Sequence, residues 1–407
     1  MKAFERLYNY AQIFTVSDEN SQSVPSTARQ FDLARVLEAE LKELGIEDAC
    51  VTDQCVALGH LPATPGYESA PAVGFNAHLD TAPDFCGENV HPVIHKNYDG
   101  KDLTLGCGRA LTVDVFPHLP SLAGRTLMTT DGSTLLGADD KADIAEIMSM
   151  LEEVIQSGMP HGKICVAFTP DEEIGGGASM LDLDQFGAAF AYTVDGGAVN
   201  EVVYENFNAA AAVFTVNGFN IHPGSAKGTM KNASLIAMEI AGMLPAAETP
   251  ALTEGREGFF HLTDMSGNVE QAVLHYIVRD HDKAHFEIRK EMMRFIEKTI
   301  NEKYGEGTAV LELREQYANM ADVIAEHPEA VNYAEAAVRA AGYEPENAPI
   351  RGGTDGAQLT FRGLPCPNLG TGGFAFHGPY EHITAEAMDE AVGILKEIVR
   401  LVGEQGR

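Results

Sequence analysis

Ile164-Cys165-Val166-Ala167-Phe168-Thr169-Pro170-Asp171-Glu172-Glu173 sets five apolar residues shortly before two adjacent glutamates. An unbroken apolar run of this length reads as a strand buried on both faces. Carboxylates crowded where such a strand ends are costly unless something positive lies beside them. A metal ion is the natural partner: one glutamate ligates it and the other serves as a base. That reading requires further ligands of the same kind at other strand ends.

The flanking sequence supplies them. Ala72-Val73-Gly74-Phe75 leads to His78 and Asp80, Thr134-Leu135-Leu136-Gly137 leads to Asp139 and Asp140, and Phe190-Ala191-Tyr192-Thr193-Val194 leads to Asp195. Helical spacing relates Ile144, Ile147, Met148, Leu151, Val154 and Ile155, in a segment that stops at Gly158. Ser26-Thr27 is expected to cap an earlier helix, with Leu33, Leu37, Leu41 and Leu44 on one face and an end at Gly45. Strands alternating with helices predict an α/β domain whose central, mostly parallel sheet is covered on both faces. In such sheets ligands gather at the carboxyl ends of strands. Four separate runs deliver acids or histidine to that edge.

From about residue 207 the pattern changes. A strand at Ala211 to Val216 is followed by a helix around Ser234 to Leu244 and by two strands, the second from Val273 to Val278. A longer helix carries Ile288, Met292, Phe295 and Thr299, and a last strand runs near Ala309 to Leu313. This β-α-β-β-α-β order is the split βαβ, ferredoxin-like unit. The α/β pattern then resumes through Arg351-Gly352-Gly353-Thr354-Asp355-Gly356, His377 and an amphipathic helix from about Thr384. The expected organisation is one main domain in two segments, 1–206 and 319–407, with an α+β lid domain, 207–318, inserted between them.

Composition narrows the function classes. The 407 residues are 45% hydrophobic, which suits a folded enzyme with two cores rather than a disordered chain. Sixty acidic against 28 basic residues give a formal charge of -32, a surface that repels phosphate backbones and excludes nucleic acid as a partner. The N-terminus lacks the order of a signal peptide and no apolar run approaches membrane-spanning length, so a soluble, cytoplasmic protein without membrane contact is expected. The six cysteines show no paired zinc-type spacing and read as reduced thiols.

Singly, each chemical candidate has a bland alternative. His78 could be structural, Asp139-Asp140-Lys141 a solvated helix start, and Asp171-Glu172-Glu173 or Val194-Asp195-Gly196 an ordinary turn. Together they offer two histidines and several carboxylates, a donor set that zinc, cobalt or manganese accepts. A carboxylate bridging two ions explains why the set exceeds the three ligands of a mononuclear catalytic site. Two divalent ions outweigh three ligating carboxylates by one charge, enough to hold the hydroxide that hydrolysis requires.

The segments His78-Leu79-Asp80-Thr81, Gly137-Ala138-Asp139-Asp140-Lys141-Ala142, Thr169-Pro170-Asp171-Glu172-Glu173, Val194-Asp195-Gly196-Gly197 and Ile221-His222-Pro223-Gly224 resemble those of the co-catalytic zinc exopeptidases. That superfamily includes aminoacylase, glutamate carboxypeptidase and succinyl-diaminopimelate desuccinylase. Within it, Tyr204-Glu205-Asn206-Phe207-Asn208-Ala209, His222 to Gly228 and Arg351 to Leu359 resemble the tripeptide aminopeptidases, and the likeness runs in order from end to end.

The resemblance implies two zinc ions per subunit, with cobalt or manganese as substitutes. Asp139 would bridge them, His78 and Asp195 would complete one set, and Glu173 and His377 the other. Asp80 would accept a hydrogen bond from the second nitrogen of His78. Glu172 would be the general base. His222, at a strand-to-helix turn of the inserted domain, would stabilise the oxyanion, in its own subunit or a partner's. Arg279 and Arg351 are candidate clamps for a peptide's terminal carboxylate, with solvated arginine as the alternative. One departure stands out: the family usually has glycine where this chain has Asp143, read here as an acid that favours the first helical turn.

The implied activity is release of the N-terminal residue from tripeptides with a free amine. An amidohydrolase, dipeptidase or carboxypeptidase of the same superfamily is the alternative, and a binding protein without catalysis is a third reading that would need neither Glu172 nor His222. A homodimer formed through the inserted domain is left open.

Overall fold

The computed structural model describes residues 1–405, which form two compact units. The first comprises Met1–Tyr204, Asp322–Ala348 and Thr354–Arg407, and the second Glu205–Ala321 with Pro349–Gly353. The short segment 349–353 therefore belongs with the inserted unit, which sequence patterning did not separate.

The first unit is built on a seven-stranded sheet in the order Cys50–Val51, Ala57–Leu61, Ile164–Thr169, Val73–His78, Phe190–Gly196, Asn368–Gly370, Val202–Val203. The four strands from Ile164–Thr169 to Asn368–Gly370 are parallel and the outer ones antiparallel. Alternation along the opening stretch explains its unbroken apolar character. Ile164, Val166 and Phe168 enter one core with Phe75 and Tyr192, whereas Cys165 and Ala167 enter the other with Phe186 and Ala191. A helix pair, Ala138–Ser157 and Ala385–Glu404, covers the first of these faces. Burying each large side chain this way is worth about 1.5–3 kcal/mol.

Two expectations fail here. Ser26-Thr27 does not cap the helix, which runs Gln30–Glu43 and takes no side-chain cap; the Ser26 hydroxyl instead donates to Asp171 across the fold. Thr134 to Gly137 is not a strand. The strand lies earlier, at Leu127–Thr129, in a separate four-stranded sheet with Gly373–Phe374, His382–Thr384 and Val93–His95. Leu135 and Leu136 are apolar because they are buried beneath the helix start, not because they pair in a ladder.

The second unit is an antiparallel sheet in the order Phe259–Gly267, Gln271–Asp280, Asn208–Asn217, Ala309–Tyr317, with helices Ala233–Met243 and Lys283–Tyr304. This is the ferredoxin-like arrangement of the split βαβ unit. The long helix buries Phe286, Met293, Ile296 and Ile300, while Ile288 and Phe295, on the stripe read from sequence, are exposed. Both stripes have helical spacing, so periodicity could not choose between them.

Candidate metal centre

Three neighbouring parallel strands end at one edge of the sheet. Val73–His78 finishes in His78, Ile164–Thr169 runs into a short 3-10 turn, Glu172–Ile174, and Phe190–Gly196 carries Asp195. Asp139 comes from the start of helix Ala138–Ser157, not from a strand end. His377 comes from the loop between Gly373–Phe374 and His382–Thr384, where Ala375 and His377 both have positive φ (57° and 63°).

These residues converge. His78 Nε2 lies 3.0 Å from Asp139 Oδ1 and 4.0 Å from Asp195 Oδ1. His377 Nε2 lies 3.3 Å from Asp139 Oδ2 and 3.1 Å from Glu173 Oε2. Donor atoms of His78, Asp139, Asp140 and Asp195 fall within 4.8 Å of one another, and so do those of Asp139, Glu173 and His377. Asp139 is common to both groups, one oxygen facing each imidazole.

A network of hydrogen bonds sets these positions. The His78 Nδ1 is 3.0 Å from the backbone carbonyl of Asp80 and 3.3 Å from its Oδ1. The Asp80 carboxylate also accepts the backbone N–H of Glu172 (3.0 Å) and of Glu173 (3.2 Å), fastening one strand exit to the next. Asp171, in the left-handed region, is buried rather than part of an acidic surface turn. Its carboxylate accepts from Ser26 N (2.6 Å), Ser26 Oγ (2.5 Å) and Gln30 Nε2 (2.6 Å). Glu381 accepts the N–H groups of Leu136 (2.6 Å), Gly137 (2.7 Å) and Asp139 (3.1 Å), and so presents Asp139. Gly137 itself has φ 74°, and a Cβ there would stand 3.0 Å from the Thr81 methyl.

The electrostatics fit cations. Burial pushes the Asp195 carboxyl well up, reinforced by Asp139 and Glu172, and burial raises Glu173 despite its hydrogen bond to His377. Hydrogen bonds to Asp139 and Glu173 push His377 up to about 11. Burial opposes the charged form of His78, yet Asp140, Asp139 and Asp80 outweigh it and raise the imidazole well above its ordinary value. Glu173 Oε1 is buried without a hydrogen-bond partner. Excess carboxylate, imidazoles aimed at it and an orphaned oxygen are what divalent ions would satisfy with this donor set.

Glu172, half-buried, stands outside both groups. Burial raises its carboxyl well above the ordinary value, with Asp355, Glu173 and Asp80 adding to the shift and His78 opposing it. In the second unit, His222 is exposed and its Nδ1 accepts the Gly224 N–H at 3.1 Å, which places the remaining ring proton on Nε2. Arg279 is buried, donates to the carbonyls of Ala210 (3.1 Å) and Val278 (3.0 Å), and stacks over Tyr317. It has no carboxylate partner among the described residues. Arg351 is engaged differently: it braces the loop at Thr253, Gly255 and Glu257 (2.9, 2.8 and 3.1 Å) and stacks over Phe207 and Phe259.

Sequence reasoning missed several residues. Asp143, read from sequence only as an acid favouring the first helical turn, is 1% exposed and faces Asp140 and Thr371. With Asp140 and Glu146 it forms a buried acidic row along one helix, each member with one unpartnered oxygen. Asp140 Oδ2 accepts the His78 N–H at 2.7 Å. Spacing at 140, 143 and 146 was a helical-face signal; Glu381 left none.

The sequence model of peptidase family M20/M25/M40 matches residues 129–401. Peptidase T of Caldanaerobacter subterraneus subsp. tengcongensis is 49% identical over 408 residues, covering 100% of both chains. Peptidase T of Halothermothrix orenii is 50% identical, covering 98% of each. Among solved structures, aminopeptidase PepT from Bacillus cereus superposes with a TM-score of 0.79 at 20% identity, covering 98% of each chain. A tripeptidase from Staphylococcus aureus gives 0.76 at 20% identity over 99% of this chain and 98% of that one.

Proposed function

The chain belongs to peptidase family M20/M25/M40, in the peptidase T group, and on that premise we propose that it is an aminopeptidase releasing the N-terminal residue of tripeptides. The observation that carries the reading is Asp139 shared between two histidine–carboxylate groups, with Glu172 beside them and in neither. His78, Asp139 and Asp195 would hold one ion and Asp139, Glu173 and His377 the other, zinc being the ion we assign, with cobalt or manganese able to replace it. When bound, such ions polarise the scissile carbonyl and make water acidic enough to attack at neutral pH.

The protein's own groups do the rest. Glu172 takes a proton from the attacking water and returns it to the leaving amine. His222 donates its Nε2–H to the developing oxyanion. Arg279, a buried guanidinium with no acidic partner among the described residues, receives the peptide's terminal carboxylate. Among the described residues no helix is long and apolar enough to cross a membrane; we place the enzyme in the cytoplasm, where its six unbridged cysteines would stay reduced.

The test is a series of di-, tri- and tetrapeptides, free and N-acetylated, on protein stripped by chelator and reloaded. Free tripeptides should be the best substrates, and better turnover of acetylated compounds would move the assignment to an amidohydrolase. In Glu172→Gln both ions should remain while turnover falls by about 10²–10⁴; near-normal turnover would remove Glu172 from the mechanism.

A further inference from the structure

An imidazole that binds an ion through one nitrogen needs a partner for the other, which fixes the tautomer and the ring plane. His78 has one in Asp80, whose carboxylate is itself fastened to the next strand exit. Among the described residues the one partner at the Nδ1 of His377 is Asp84, whose Oδ2 lies 3.2 Å away. The geometry points to Asp84 as the positioning residue of the second imidazole: it accepts the Nδ1–H of His377 and so presents Nε2 to Glu173 and Asp139.

Two features favour this over an incidental surface pair. First, the Asp84 side chain is 66% exposed but its backbone is held on both sides. Upstream, Ser17 N–H donates to the Thr81 carbonyl (3.2 Å); downstream, Leu135 N–H donates to the Cys86 carbonyl (2.9 Å) and Arg109 lies over the Phe85 ring at 5.3 Å. An exposed carboxylate on a fixed mount can define a direction that a free one cannot. Second, His377 needs an external guide. It is 44% exposed and sits, with Ala375, in left-handed backbone on a loop, where no strand or helix fixes the direction of its side chain.

Magnitudes separate a positioning role from a structural one. An exposed ion pair contributes about 0–1 kcal/mol to stability, so losing Asp84 should barely change Tm. Loss of a partner that orients an ion-binding histidine typically weakens metal affinity by about 10–100-fold. The two effects should therefore come apart.

The inference rests on the two-ion reading above, and the experiment distinguishes the failure of each. Cobalt(II) is titrated calorimetrically into chelator-stripped wild type, Asp84→Ala and Asp84→Asn, with Tm and the kcat–KM split measured alongside. Wild type should take up two ions. Asp84→Ala should weaken one binding step about 10–100-fold, leave the other within about twofold, and hold Tm. Asp84→Asn, which keeps an acceptor oxygen, should restore part of the loss. Unchanged affinity for both ions overturns the role of Asp84 while leaving the two-ion reading intact, and a raised KM with normal binding would make Asp84 a substrate contact instead. Equal weakening of both steps also overturns it, as would a large fall in Tm. Wild type that binds no cobalt overturns both readings.

Discussion

His78 and His377 reach the same aspartate by opposite routes. His78 ends a buried parallel strand and its side chain is 2% exposed; His377 rides a loop in left-handed backbone and is 44% exposed. Behind His78 stand Asp80, Asp140 and the row of acids on helix Ala138–Ser157, whereas behind His377 stands one surface carboxylate. The first half of the centre is thus part of the fold and the second half is attached to it. His78 should affect stability and chemistry together, and His377 chemistry alone.

The largest expected effect lies where the halves meet. Asp139→Ala removes the carboxylate common to both groups, so bound metal should fall from two ions to one or none and turnover by about 10³-fold or more. Metal analysis of the purified variant decides this, and retention of both ions would end the idea of a shared ligand.

Next comes the direct contrast between the imidazoles. His78→Ala leaves Asp139, Asp140 and Asp80 without the group that faces them and should cost about 2 kcal/mol or more of stability. His377→Ala, at an exposed site, should cost no more than about 0.5 kcal/mol while still losing one ion. Denaturant unfolding of both variants after chelation measures the difference; equal losses would break the comparison.

A further effect concerns the acids behind His78. Burial pushes Asp143 up to about 7, from an ordinary 3.8. The folded chain therefore holds that proton more tightly than the unfolded chain. Its contribution is intact below about pH 4 and is lost as pH rises toward 7. Asp143→Asn should remove this dependence. At pH 8 it should stabilise the chelated protein by about 1.4 kcal/mol for every tenfold by which folding tightens the hold on that proton, with no gain near pH 4. A constant difference across that range would show that Asp143 does not titrate with folding.

Much of this centre was legible in the sequence because its donors fall in short segments with their own signals. A short apolar run followed by acids or histidine reads as a strand leaving a core, and three such exits converge here. What misled was periodicity without a reference surface. In helix Lys283–Tyr304 the stripes through Phe286 and Ile288 are equally regular, and only the sheet on which the helix packs selects the first. Leu135 and Leu136 looked like a strand because burial, not pairing, makes a residue apolar. Ser26 looked like a helix cap, but Asp171, 145 residues away, supplied the stronger acceptor.

The sequence alone marked candidates for chemistry: alternating apolar runs and helices predict a parallel sheet whose carboxyl edge carries His78, Glu172, Glu173 and Asp195, whereas the roles of Asp139 and His377 were implied by the family resemblance. It also separated Glu172 from Glu173 through their likeness to a known arrangement. Only the tertiary structure decided which groups hold those side chains still. Asp84, Asp143 and Glu381 act through partners 293, 3 and more than 240 residues away in the chain, respectively. A hydrogen bond across such a span, or inward from a helix face, has no periodicity to reveal it. It exists only once folding has fixed both ends.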